Sequence, residues 1–497
     1  MTADPRRWLI LATVTLSFLP VTLDSTVLYL AIPALTLDLG ATATEILWIM
    51  DIYPLTMAGL VLVSGPMGDR FGQRNLLLTG LALFGAASGF AAFAPTPALL
   101  IAARIGLALG GCMIIPSTLA LVRRIFTDPR ERGIAIGVWS AVASAGSALG
   151  PVVGGLLLEH FWWGAAFLVN VPITLFAIAV IAPMVRNEPQ PESVPLQPLT
   201  ALAGILGLIG VVYAIKEIAR GGGDPALTGA AGALGVVLLG VFVRRQLRSP
   251  APMLDLRLFR LRRFSIGVLM AIGPVMVLIG FALAIVQQMQ FVDGLSPLAA
   301  GLVIVPLDVA AAVAGPASGY LLTRLGIRAL GVGALALAGL GYALLLGFGM
   351  AGVGAAMVLL GLGHGAIMSM ATTSMMSAAP ADRAGAAAAI ESVSYEVGTG
   401  LGVAIFGSVL GVAYLVAFQG PTELGASIGA TLAAAEALGG TAGEALAEAG
   451  RAAFGEAFRA ALWLALGTIV LVALVVLRHG PRAAVEMPTI ALGKRAP

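Results

Sequence analysis

A chain of 497 residues with 59% hydrophobic and only 11% charged residues cannot cover its surface for water, because soluble domains run at about 25% charged. The net charge of +3 comes from basic residues in short clusters between apolar stretches, without interleaved aromatics, which excludes a nucleic-acid-binding patch. The single cysteine, Cys112, lies in an apolar run and excludes an intrachain disulfide.

Apolar stretches of about 20 residues match a hydrocarbon core of roughly 30 Å at 1.5 Å rise per residue, and lipid offers the backbone no partner, so such stretches must be helices. In chain order we read fourteen spans: 8–31, 46–67, 75–94, 98–122, 133–158, 163–184, 199–219, 226–246, 264–291, 298–322, 328–349, 352–377, 385–414 and 459–478. The first follows Arg6 and Arg7 but is too long for a signal core and leads straight into another span, so it reads as an uncleaved helix.

Basic residues in the connections set the orientation. Of the 28 Lys and Arg, 23 fall on one side, including Arg70, Arg74, Arg123, Arg124 and the stretch from Arg244 to Arg263. The opposite side carries only Lys216, Arg220, Arg451 and Arg459, and Arg104 alone lies within a span. Both termini are therefore expected in the cytoplasm, which requires an even number of spans.

Two linkers, 186–198 and 244–263, bracket spans 7 and 8. The expected organisation is a first six-helix half (1–185), a linker with two extra transmembrane helices (186–263), a second six-helix half (264–480) and a tail (481–497). A connection over 418–458, rich in Ala, Gly and Glu, is expected on the outer side with one or two short helices. GPMGDRFGQR at 65–74 is echoed by GYLLTRLGIR at 319–328, where Arg70, Gly72 and Arg74 match Arg324, Gly326 and Arg328. Asp69 falls opposite Thr323, so the second copy lacks the acid. A six-span unit repeated twice is the plan of many secondary transporters, with the site between the halves.

Acids inside spans are costly, roughly 2.5–3.5 kcal/mol each on insertion scales, and are functional candidates by default. They are Asp24 in LDSTVLYLAIP, Asp51 in WIMDIYPLTMAG, Asp308 in VIVPLDVAAAVAGP, and Glu391 and Glu396 in AAIESVSYEVGTGLG. A carboxylate in such a place can hold a proton or neutralise an organic cation, but not both, and that competition is the core of proton/cation antiport. Trp48, Tyr53, Trp139, Phe281, Met289, Met376 and Tyr395 could complete a cation site through ring faces and polarizable sulfur. An anion site would need intramembrane Lys or Arg, and only Arg104 qualifies, as a relay or as the partner of an acid. His364 is a lone intramembrane imidazole, and nothing has the spacing of a metal or nucleotide site.

In the 65–74 stretch, Gly65, Gly68 and Gly72 permit a tight turn, while Asp69, Arg70 and Arg74 suit a conformational latch at the cytoplasmic face. ASAGSALGPVVGG at 143–155 places Gly146, Gly150, Pro151, Gly154 and Gly155 where helices can approach closely and bend.

With these motifs in view the chain resembles a major facilitator superfamily transporter of the fourteen-span drug:proton antiporter family. LDSTVLYLAIP resembles that family's first-span motif, RIGLALGGCMIIPSTLALV its fourth-span motif with the arginine, and SAGSALGPVVGG its antiporter motif. WIMDIYPLTMAG and AIESVSYEVGTGLG are similar to the QacA/SmvA-like group, associated with quaternary ammonium compounds, biguanides, dyes and viologens. The resemblance implies an all-α integral membrane protein with 14 transmembrane helices (6 + 2 + 6) and roles for Asp24, Asp51, Asp308, Glu391 and Glu396 in cation binding and proton coupling. Asp308 departs from the family pattern by about one helical turn. The function implied is proton-driven export of lipophilic organic cations by a monomer in the bacterial cytoplasmic membrane. Its partners are the cations, protons and the bilayer, with no cofactor, metal or enzyme activity. The alternative is a major facilitator exporter of another metabolite or a neutral drug.

Overall fold

The computed structural model describes residues 7–480 except 127, 188–196, 221–223, 251, 381–382, 422–424 and 426. The expected tail 481–497, most of the linker 186–198, Arg6 and Glu423 lie outside the described residues, as do the side chains of Arg130 and Arg220. Among the described residues, twelve helices are long and apolar enough to cross a membrane.

The first expected span is two helices, α1 (Arg7–Leu16) and α2 (Leu19–Asp38). Pro20 in the first turn of α2 has no N–H to carry the helix through, so the chain turns at Ser17 and Phe18. Helix α3 (Ala43–Phe71) starts at a capping box in which Thr42 and Glu45 satisfy each other's backbone N–H. It stops at Gly72, whose φ of 89° suits a residue without Cβ. Then come α4 (Gln73–Ala92), α5 (Pro97–Ile125), α6 (Pro129–His160), the short α7 (Ala165–Leu168) and α8 (Asn170–Met184).

An antiparallel pair follows, α9 (Pro198–Arg220) and α10 (Pro225–Arg248). Gly207 and Gly210 let their backbones approach closely: a methyl group added at Gly210 would stand 2.9 Å from the Ala231 carbonyl oxygen. Helix α11 (Arg262–Gln287) ends in a π turn over Gln288–Val292. Helix α12 (Pro297–Phe348) is two arms bent at Gly326, where φ is 75°. The last are α13 (Val353–Ala378), α14 (Ala384–Ala417), α15 (Ile428–Leu438) and α16 (Gly440–His479). The expected loop over 418–458 is thus mostly helix. The short helix α15 is of the kind expected there, the chain breaks at Gly439, and the Ala-rich stretch from Gly440 runs on into the last span, with Glu436, Glu444, Glu448 and Glu456 exposed.

Helices α2 to α8 pack among themselves, and so do α11 to α16. The two groups meet along two seams, α6 on the first arm of α12 and α3 on α14. The glycines of α6 serve both of its neighbours. Gly146, Gly150 and Gly154, spaced at helical repeats, lie against Thr22, Thr26 and Val27 of α2. Gly155 lies against Leu298 of α12, and the Pro151 carbonyl abuts Gly301.

One end of the bundle, here the basic end, gathers Arg70, Arg74, Arg123, Arg124 and Arg186. At the far end the halves are held together. Gln290 Nε2 donates to the Leu30 carbonyl at 3.2 Å. Leu47 of α3 fills the space over Gly407 of α14. Helix α15 rests on α2 with Gly429 against Thr36, and Tyr414 and Thr431 share a hydroxyl contact at 2.6 Å.

Candidate functional site

The seam encloses a cavity of about 210 Å³ whose walls come from α2, α3, α5, α6, α11 and α14. Tyr29, Met50 and Tyr53 line it from the first half, and Glu396 and Thr399 from the second. Arg104 forms part of its wall. This side chain, 3% exposed, is fixed by three contacts. It is ion-paired with Asp24 through Nη1, its Nε donates to the Ile49 carbonyl at 3.1 Å, and its guanidinium carbon lies 4.6 Å from the Tyr53 ring centre. The second Asp24 oxygen and the Tyr53 hydroxyl are buried with no hydrogen-bond partner among the described residues.

Glu396 differs in kind from Asp24. It faces the cavity, is partly buried, and has no ion-pair or hydrogen-bond partner among the described residues. Glu391 lies five residues nearer the basic end on α14, about 7.5 Å along the axis. It accepts from Thr372 of α13 and from Tyr395 at 3.4 Å. Asp308 sits on the face of α12 that carries Gly301, two turns further along, partly buried and without a polar partner among the described residues.

Asp51 belongs elsewhere. It is fully buried and ion-paired at 2.7 Å with Lys216 of α9. The sequence placed Lys216 in a connection on the outer side, and the structure corrects that: it is 3% exposed, with Nζ 4.0 Å from the Trp48 ring centre. Among the described residues, Lys216 joins Arg104 as a buried cation paired with an acid.

The aromatic and methionine candidates scatter accordingly. Tyr53 lines the cavity, and Trp139 borders it, stacked on Phe18 at 5.1 Å with its Nε1 donating to Thr118 at 3.1 Å. Trp48 belongs to the Lys216 site. Phe281 packs edge-on against Tyr342 at 5.3 Å, beside His364, in the core of the second half. Met289 is buried at the far-end closure, Met376 is partly buried near the basic end, and Tyr395 serves Glu391. Tyr29, Met50 and Thr399 were missed. Tyr29 stands within the quoted LDSTVLYLAIP stretch, four residues past Ser25 on the same helical face, and that spacing was its signal.

At the basic end, Asp69 accepts from Gln73 Nε2 at 3.2 Å, and Arg74 donates to the Ala182 carbonyl. Arg70 lies over Phe71 at 5.7 Å. Asn187 spans from the Phe71 carbonyl to the Asn75 N–H, against Gly72. Gly68 faces Gln73, whereas Gly65 has open space around it. The turn is tied to the end of α8, in its own half.

A charged cavity at the seam of two helical bundles, closed at one end, defines a membrane transporter. The chain belongs to the Major Facilitator Superfamily, whose profile matches residues 14–403. It is therefore a transporter and not an enzyme. It is 42% identical to the methyl viologen resistance protein SmvA of Salmonella typhimurium, over 84% of this chain and 86% of that one. It is 40% identical to the multidrug efflux pump LfrA of Mycolicibacterium smegmatis, over 88% and 87%. The fold is shared with a bacterial homologue of the human lysosomal transporter Spinster, solved in an inward-facing, unoccupied conformation (TM-score 0.70, 18% identity, covering 96% and 97% of the chains).

Proposed function

We propose that this protein exports lipophilic organic cations in exchange for protons, across a bacterial cytoplasmic membrane and with both termini in the cytoplasm. The carrying observation is Glu396, a carboxylate without an ion-pair partner that faces the cavity opposite Tyr29, Tyr53 and Met50. A permanently charged ligand finds there one carboxylate and two tyrosine side chains. The methyl viologen resistance named for the relative SmvA supports a cationic cargo.

In this reading the cation binds at Glu396 and a proton displaces it. Asp24 is already matched by Arg104, so its part is to couple: a proton on Asp24 frees the guanidinium to move. Glu391 and Asp308 lie along the route that a proton could take toward the basic end. An anion exporter would want a free buried cation, whereas Arg104 and Lys216 each face a carboxylate.

Fourteen spans, arranged six, two and six, agree with this orientation. The apolar stretch Arg324–Ala378 is 55 residues long and breaks at Gly349–Gly352, enough for two crossings at 1.5 Å per residue. Helix α6, 32 residues long, adds another. The proton gradient supplies the energy, no cofactor is needed, and one chain suffices.

Reconstituted vesicles with an imposed pH gradient test the proposal. Ethidium and methyl viologen should each be driven out with proton movement in the opposite direction. Transport that ignores the gradient, or no transport of either cation by well-folded protein, would exclude it.

A further inference from the structure

The pair α9 and α10 is additional to the two bundles, and α9 is not peripheral. Ala201, Ile205, Val212 and Lys216 share one helical stripe, and all are buried. Ile205 fits over Gly59 of α3, which has no side chain to obstruct it. Val212 lies in a small apolar cluster with Leu55 of α3 and Ala404 of α14, so α9 covers the seam where the two halves meet.

At the far-end terminus of that stripe stands Lys216. Its Nζ is 2.7 Å from Asp51, donates to the Leu47 carbonyl at 3.0 Å, and lies 4.0 Å from the Trp48 ring centre. All three partners belong to one turn of α3. Leu47 is also the side chain that fills the space over Gly407 of α14. A buried ammonium is costly unless it is paired and hydrogen-bonded. Both conditions are met here by the segment of α3 that closes the far end.

We propose that Lys216 is a positioning residue of the transport cycle. It neutralises Asp51, fixes the outer turn of α3 and holds the α3–α14 seam closed at the far end. Asp51 is then the counter-charge of the accessory helix, separate from the cation site at Glu396. The efflux readout rests on the cation export proposed above, whereas the melting readout of the ion pair does not.

Full-length Lys216→Met, Asp51→Asn and the double variant are purified, melted, and assayed for ethidium efflux from vesicles. Each single change should lower the melting temperature and cut maximal efflux per folded molecule at least about tenfold, with KM within about twofold, because one buried charge is stranded while the cavity is untouched. The double variant should regain the melting temperature and most of the efflux, and Lys216→Arg should stay near wild type. A double variant that melts normally but does not transport would overturn the proposal, because Asp51 would then act on its own. So would a double variant no more stable than the singles, or a Lys216→Met protein with wild-type melting and efflux. Lowered melting with unchanged efflux per folded molecule would reduce Lys216 to structural glue, which also overturns it. Were ethidium not a substrate of the wild type, the melting cycle would still decide whether the pair exists.

Discussion

Arg104 and Asp24, on α5 and α2, form a buried ion pair whose arginine is part of the cavity wall, with side chains 3% and 1% exposed. Two helices of the same half are thereby joined at the depth where the cargo is expected. Breaking such a pair strands the survivor in apolar surroundings, at a cost of about 3–5 kcal/mol.

Asp24→Asn should therefore lower thermal stability as well as abolish efflux of permanently charged dyes. Asp24→Asn combined with Arg104→Gln should regain stability but not transport, since the coupling groups are gone. A thermal melt beside a dye efflux assay checks both. Recovered transport in the double variant would remove Asp24 from the coupling machinery.

Glu396→Gln should behave in the opposite way. No ion pair is lost and a neutral amide is less costly to bury than a carboxylate, so stability should not fall. Binding of ethidium or methyl viologen should weaken by roughly thirtyfold or more, the size expected when a charged partner is neutralised. Fluorescence titration of purified protein measures this directly, and undiminished affinity would move the cation site away from α14.

A methyl group at Gly150 would stand 1.7 Å from Thr26 Oγ1. Gly150→Ala should push α6 from α2 and cost about 1–3 kcal/mol through overpacking. Shortening the neighbour with Thr26→Ala should restore part of the loss. Melting temperatures of the three variants give the answer, and equal destabilisation with and without Thr26 would show that the two helices are not in this contact.

Asp69→Asn should slow turnover and leave equilibrium dye binding nearly unchanged, because the turn lies at the basic end and its polar contacts run to Gln73 and α8. Maximal efflux rate and dye affinity, measured on the same preparation, separate the two effects. Loss of affinity in folded protein would place this turn in the binding site.

Much of the architecture is legible in composition alone, because lipid permits so few backbone solutions. The glycines of α6 are legible for a similar reason: close helix approach needs small residues at helical spacing. Lys216 was misplaced because a lysine near the end of an apolar run reads as a connection, and hydropathy is blind to a partner on a helix far away in the sequence, here Asp51 of α3. Its signal was periodic: it continues the stripe of Ala201, Ile205 and Val212. Which acid Arg104 would pair with was open for a related reason. Asp24 is 80 residues distant from it in sequence, and only packing brings the two together. The long helix that runs through the second part of the expected outer connection was obscured by its glycines, two of which, Gly443 and Gly450, are buried, while Glu444, Glu448 and Glu456 lie on the exposed face.

Gly72 and Gly326 both adopt positive φ, 89° and 75°, at equivalent places in the two related stretches. The backbone bend occurs in both halves, while the carboxylate beside it survives in one. Inheritance from a duplicated ancestor would leave this pattern if the bend were needed for folding each half and the acid for only one of them. The two related stretches thus share a bend but not a charge, so a cationic inhibitor aimed at Asp69 would have one docking point in this repeat instead of two.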